Sequence, residues 1–271
     1  YYGDELGQPG TILTFFPFID AVRGKRGKGE VSAVSFEVPA GSFEFWASHL
    51  SREGIHLDGP LARFGEDVLS FQDPDGMSVE LIARDANNEY RHWPDNPVPK
   101  EFAVRRLHGA TLTLGRREET DWVLQKMLKF RFAGQHDNRF RYLTGSGASE
   151  SAVDLLIKAD IPFARQSAGS VHHIAWRVAD DDAQLLWRSE IVGAGMEVTE
   201  ILDRQYFRSI YFREPGGVLF EIATDTPGFA VDEPIAELGE GLKLPPWLEP
   251  SRLKLERTLP PVELKQRRTP V

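Results

Sequence analysis

The sequence predicts an α+β protein of tandem βαβββ modules whose strands pair into curved mixed sheets around a cavity. Two observations predict it. The first is an internal repeat. At an offset of 140 residues Val31 aligns with Val171, and Ser32, Ala33, Val34, Phe36 and Val38 fall on His172, His173, Ile174, Trp176 and Val178. With one further residue, Gly54 falls on Gly195, Phe71 on Phe212, Pro74 on Pro215, Gly76 on Gly217 and Glu80 on Glu221, and a third stretch fits the same frame with Leu107 on Val171. The second is that each copy reads as a strand, an amphipathic helix and then strands closed by a Pro/Gly turn. A unit this small cannot bury its sheet alone, so pairs of units should join into sheets that enclose a cavity.

In chain order, residues 1–27 read as the remainder of a truncated first module plus a linker: a polar glycine-rich turn at 3–10 and a strand at 11–18. The basic glycine stretch at 20–30 lacks the Gly-Lys-Ser/Thr ending of a phosphate loop and is expected to be a mobile linker. Residues 28–90 form the second module, with a strand at 31–38, a helix at 41–53 and strands that close at 69–82. In that helix Ser42 can cap, Phe45, Trp46 and Leu50 share a face, and Gly54 ends the turn. Three prolines mark 85–100 as a linker. The third module, 101–160, has a strand at 107–114, a helix at 117–129 with Trp122, Val123 and Met127 on its apolar side, and strands at 130–133, 139–144 and 152–157. The fourth module, 165–230, opens with a strand at 171–178. Its helix at 180–194 starts at Asp180 and closes at Gly193 and Gly195, and a strand–turn–strand follows at 210–223. The proline-rich tail, 231–271, should pack along the body.

Composition narrows the function. The 271 residues carry a net charge of −9, which argues against a nucleic-acid or anionic-membrane partner. There is no cysteine, so thiol catalysis, iron–sulfur clusters and Cys-type zinc sites are excluded, and any metal must use His, Asp, Glu or carbonyl ligands. No apolar run is long enough for a transmembrane helix, no signal peptide is visible, and the cytoplasm is the expected location.

The chemistry concentrates in the fourth module. Glu221 sits between Phe220 and Ile222, and an ionised carboxylate there is costly to bury without a cationic partner. A divalent metal shared with His173 is one such partner, and a hydrogen-bonded His–Glu pair is the alternative. Neighbouring strand residues face opposite ways, so His172 and His173 cannot both bind one ion in a regular strand. Arg204 and Tyr211 read equally well as a surface arginine and a core tyrosine. Glu80 occupies the place of Glu221 but faces Ala33, and Asp154 lies opposite Gly109, so the second and third modules should keep the fold without the site. His108 aligns with His172. His49, His56, His92 and His136 fall on helices or loops and should be solvated. Phe36, Trp46, Trp176 and Phe220 are most simply core, with one or two of them expected to line a pocket for a flat substrate.

The repeat and the motif Tyr211-x-x-Glu214-Pro215-x-Gly217-x-x-x-Glu221 resemble the vicinal oxygen chelate superfamily of glyoxalases, bleomycin-resistance proteins and extradiol dioxygenases. The wording from Leu202 through Arg204 to Tyr211 is closest to its hydroquinone-type ring-cleaving dioxygenases. This resemblance implies that His173 and Glu221 bind the metal, Fe(II) or alternatively Mn(II). It implies that His172, Arg204 and Tyr211 serve the catalytic step. It also implies a third protein ligand, from an N-terminal His-His pair that precedes the point where this sequence starts. The implied partners are a small aromatic diol and O₂, with homo-oligomer formation left open. A glyoxalase-like lyase or thiol transferase, and a non-enzymatic drug-binding protein, are the alternatives within the same superfamily.

Overall fold

The computed structural model describes residues 1–18, 20–85, 96–147 and 150–259, so His92 and part of the 85–100 linker lie outside the described residues. Three βαβββ units follow one another. The first comprises β1 (Glu30–Pro39), α1 (Phe43–Arg52), β2 (Asp58–Arg63), β3 (Glu66–Gln72) and β4 (Ser78–Arg84). The second comprises β5 (Arg106–Leu114), α2 (Glu118–Trp122) running on into a π-helical turn (Val123–Met127), β6 (Arg131–His136), β7 (Arg139–Thr144) and β8 (Ser151–Ile157). The third comprises β9 (Ile174–Val178), α3 (Asp181–Gly193), β10 (Leu202–Asp203), β11 (Arg208–Arg213) and β12 (Leu219–Thr224). The tail carries short 3₁₀ turns and α4 (Arg252–Thr258).

In every unit the first strand lies parallel to the last, and the remaining strands form an antiparallel meander. The first two units join through the antiparallel pair β1–β5 into an eight-stranded sheet of order β2-β3-β4-β1-β5-β8-β7-β6; the third forms a four-stranded sheet, β10-β11-β12-β9. One core cluster runs from β5, the α2 segment, β7 and β8 into α3, β11 and β12, with Leu112, Leu155, Phe212 and Phe220 almost wholly inaccessible. The third unit is therefore anchored on the second. Glu214 reinforces that anchor. It is buried in the β11–β12 turn, where Thr120 Oγ1 (2.6 Å) and the backbone N–H groups of Gly216 and Val218 (both 2.8 Å) donate to it. Burial pushes its pKa up, and these bonds pull in the opposite direction.

The structure corrects several local expectations. Residues 11–18 form no strand; a single bridge joins Tyr2 to Leu13. Ser42 does not cap α1 with its side chain, because its hydroxyl donates back to Pro39 O at 2.6 Å. Trp122 is half-exposed rather than core. Thr120, Val123, Leu124 and Met127 follow the i, i+3, i+4, i+7 rule, and a residue one place before Val123 points away from that face. Asp180 caps α3 as expected, accepting from Ala183 N at 2.9 Å. The basic glycine stretch is not a free linker. Lys25 and Arg165 exchange backbone hydrogen bonds of 2.9 Å, as do Lys28 and the 162–164 segment. A Cβ on Gly27 would stand 2.4 Å from Ala164 N and Pro162 O, so only glycine allows this approach.

Candidate active site

The ladder register places three carboxylates at one equivalent position. Glu80 pairs with Ser35, Asp154 with Thr111 and Glu221 with Ala175 on the first strand of each unit. On the other side they pair with Ser70, Arg141 and Tyr211. Residue 173 lies two places before Ala175, on the same face as Glu221, and the equivalent places hold Ala33 and Gly109.

In the third unit His173 Nε2 lies 2.6 Å from Glu221 Oε2. Ser209, fully buried on β11, donates its hydroxyl to Glu221 Oε1. Burial alone would raise the pKa of Glu221, but the bonds from His173 and Ser209, the His173 charge and a bond from Tyr211 outweigh it and hold the carboxyl below its ordinary range. His172 and His173 sit just ahead of β9, outside the regular strand, and their Nδ1 atoms lie 2.8 Å apart. The strand-alternation argument therefore does not govern them: the His172 ring meets the Nδ1 side of His173, away from Glu221. The His172–His173 contact occupies His173 Nδ1 and leaves Nε2 facing Glu221. Burial, then His173 and Arg213, push the His172 pKa down. The Tyr211 ring meets His173 edge-on with centroids 5.6 Å apart, and the Arg204 guanidinium lies 5.3 Å over the Tyr211 ring. Burial and the Glu221 charge raise the Tyr211 pKa against bonds from Ser209 and Arg204. All five predicted residues thus converge, with Arg204 reaching the pair through Tyr211.

The pair opens onto a cavity of about 1750 Å³ lined by Phe16, His172, His173, Trp176, Phe207 and Glu221 among others; Arg204 and Tyr211 do not line it. The Phe16 centroid lies 5.8 Å from that of His172 and 6.3 Å from that of His173. An imidazole nitrogen and a carboxylate oxygen on one open face are two donors of the set that suits non-haem Fe(II). Among the described residues no three His, Asp or Glu side chains come together as a metal cluster.

In the eight-stranded sheet, cations of the protein itself cover the equivalent carboxylates. Arg63 Nη1 lies 2.9 and 3.0 Å from the two oxygens of Glu80. Asp154 accepts from Arg141 at 2.8 and 3.0 Å and from Arg139 at 3.1 Å. Arg63 stands at the repeat position of Arg204. His108 is buried between Glu37 (3.5 Å) and Glu66 (3.4 Å), and Arg141 also pairs with Glu66.

This network makes stability depend on pH in two directions. Burial would raise the Glu66 pKa, but His108 and Arg141 bring it down to about 2. Its contribution, about 1–2 kcal/mol after solvent screening, is present above its ordinary pKa and is lost as pH falls toward 2. Burial would lower the His108 pKa, but Glu37 and Glu66 raise it, so its contribution is full below the ordinary value and is lost as pH rises through the folded one. The urea midpoint should therefore peak in mild acid, and His108→Gln should flatten the alkaline side and, because His108 also holds the Glu66 pKa down, weaken the acid side as well.

The profile of the Glyoxalase/Bleomycin resistance protein/Dioxygenase superfamily matches residues 114–222. A Bacillus subtilis protein provisionally named ring-cleaving dioxygenase MhqO is 39% identical over 266 residues, which is 98% of this chain and 84% of that one. The chlorohydroquinone/hydroquinone 1,2-dioxygenase of Sphingobium indicum is 40% identical over 266 residues, 96% of this chain and 82% of its own. The chain belongs to this superfamily. Its fold agrees: a crystal structure of a provisionally named dioxygenase from Bacillus subtilis superposes with a TM-score of 0.91 at 38% identity, covering 98% of this chain and 84% of that one. Glyoxalase I of Zea mays, at 14% identity and a TM-score of 0.55 over 75% of this chain and 70% of that one, shares the superfamily fold alone.

Two residues at the site escape the sequence reading. Ser209 is two places before Tyr211 and so on the same strand face; a small hydroxyl residue at that alternate position of the strand was the available signal. Phe16 carries no local signal, since only the chain path brings it to the histidines. His49 is not solvated: it stacks on Phe45 at 5.5 Å, whereas His56 and His136 are exposed as expected. Trp46 and Phe220 are core, but Trp176 lines the cavity.

Proposed function

We propose that this protein cleaves the ring of an aromatic diol with O₂, a hydroquinone being the preferred class, using Fe(II), or Mn(II), held by His173 and Glu221. The observation that carries the reading is the His173–Glu221 pair opening onto an aromatic-walled cavity, in a chain 40% identical to a chlorohydroquinone/hydroquinone dioxygenase. In the net reaction the ring bond beside a hydroxyl-bearing carbon and the O–O bond both break. Both oxygen atoms enter the product, and the diol supplies the electrons, so no external reductant is needed.

When bound, the metal supplies a meeting place for the diol oxygen and O₂ and an electron path between them. The chain's own groups do the rest. His172 holds His173 Nδ1, so Nε2 stays aimed at the site. Tyr211 and Arg204 stand behind the pair rather than on the cavity wall: Tyr211 packs edge-on against the His173 ring, and Arg204 lies over Tyr211 and places positive charge beside it. Phe16, about half-exposed beside both histidines, offers its face to the flat substrate. Phe16→Ala should raise KM for the diol about 3–10-fold with kcat changed little; steady-state kinetics checks it.

Oxygen uptake by the full gene product, loaded anaerobically with Fe(II), tests the proposal. Uptake with hydroquinone exceeding that with catechol supports it. Bound metal without uptake on either diol points instead to a redox-silent lyase or transferase.

A further inference from the structure

We infer that Ser209 is a positioning residue for the carboxylate of the metal site; the inference rests on the metal-binding reading proposed above. Ser209 is fully buried on β11, where it can exchange its bond with neither water nor a mobile loop. Its hydroxyl donates to Glu221 Oε1, while Oε2 lies 2.6 Å from His173 Nε2. The two oxygens are thus divided: one is tied to a neutral donor and the other is presented to the open side.

The repeat supplies an internal control. The position two places before the carboxylate's cross-strand partner holds Val68, Arg139 and Ser209 in the three units. In the second unit Arg139 donates a charged bond of 3.1 Å to Asp154. In the first, Val68 offers no donor and Arg63 takes both oxygens of Glu80. Both carboxylates are thereby fixed and neutralised, which leaves no negative charge for a metal ion. Ser209 fixes Glu221 with a neutral group and leaves its charge in place, while Arg204, at the repeat position of Arg63, lies over the Tyr211 ring. A neutral anchor is what a metal-binding carboxylate needs, because ligand orientation by outer hydrogen bonds is worth about 10–100-fold in metal affinity.

The test is titration of Mn(II) into the metal-free full chain, with free Mn(II) counted by electron paramagnetic resonance, so that no turnover is required. Ser209→Ala should raise the Mn(II) Kd about 10–100-fold, and Ser209→Thr, which keeps the hydroxyl, should stay within about 3-fold of wild type. A Ser209→Ala variant that binds within about 2-fold of wild type would overturn the inference. So would a Ser209→Thr variant as weak as Ser209→Ala, since the effect would then be packing. Glu221→Ala is run alongside. If wild-type and Glu221→Ala chains bind Mn(II) alike, the metal-site reading itself fails and takes this inference with it. Binding lost in Glu221→Ala yet unchanged in Ser209→Ala removes the role of Ser209 alone.

Discussion

Glu221→Gln should abolish turnover and weaken metal binding by more than about 100-fold, and should cost the metal-free fold less than about 2 kcal/mol. The affinity estimate follows from binding free energies of about 10–16 kcal/mol shared among three or four ligands, so that losing one costs several kcal/mol. The stability estimate follows from burial. Glu221 is 2% exposed, and in the metal-free protein its charge is balanced by a neutral hydroxyl and an imidazole rather than a guanidinium. Glutamine keeps the shape and an acceptor for Ser209, but it loses the charge that His173 and Ser209 stabilise and that holds the Glu221 pKa below its ordinary range. Metal content after dialysis and the urea midpoint of the metal-free protein check the two halves separately. A midpoint that falls by more than about 2 kcal/mol would show that the carboxylate is a structural member of the core.

Asp154→Ala should do the reverse. Asp154 occupies the same ladder position in its unit, but three guanidinium contacts from Arg139 and Arg141 converge on it. Removing it leaves two buried cations facing each other, in a sheet that already holds Arg63 nearby. Breaking one partner of a buried pair costs about 3–5 kcal/mol, a large part of a domain's total stability. Thermal or urea unfolding should show that loss, while metal binding per folded chain stays at the wild-type value. Substitutions at these repeat-equivalent carboxylates thus separate chemistry from stability.

The architecture was legible because turn chemistry and strand spacing recur. Pro74 and Gly76 repeat as Pro215 and Gly217, and the ladder register places Glu80 and Glu221 on equivalent rungs, as the offset implied. The repeat marks the rung of Glu221, whereas the choice of His173 over His172 came from the family resemblance, since the equivalent places hold Ala33 and Gly109. What was not legible depends on long-range packing. The pairing of the glycine-rich stretch 22–29 with 162–168, which holds no glycine, joins segments that carry no strand pattern. The orientation of Trp122 follows from which side of α2 meets β7, β8 and α3. The arginines of the eight-stranded sheet look like ordinary strand-surface residues in one dimension. Only the register shows Arg141 directly across from Asp154. The contact between His172 and His173 escaped the alternation rule because β9 begins one residue later, at Ile174.

The most direct test of the central claim is isotopic. The Fe(II)-loaded full gene product is given hydroquinone under ¹⁸O₂, and the ring-opened product is weighed by mass spectrometry before its carbonyl oxygens exchange with water. Incorporation of both labelled atoms into one acyclic product, absent from Glu221→Gln, is the predicted result. An intact ring, or a product carrying no oxygen from O₂, would contradict ring cleavage at this site.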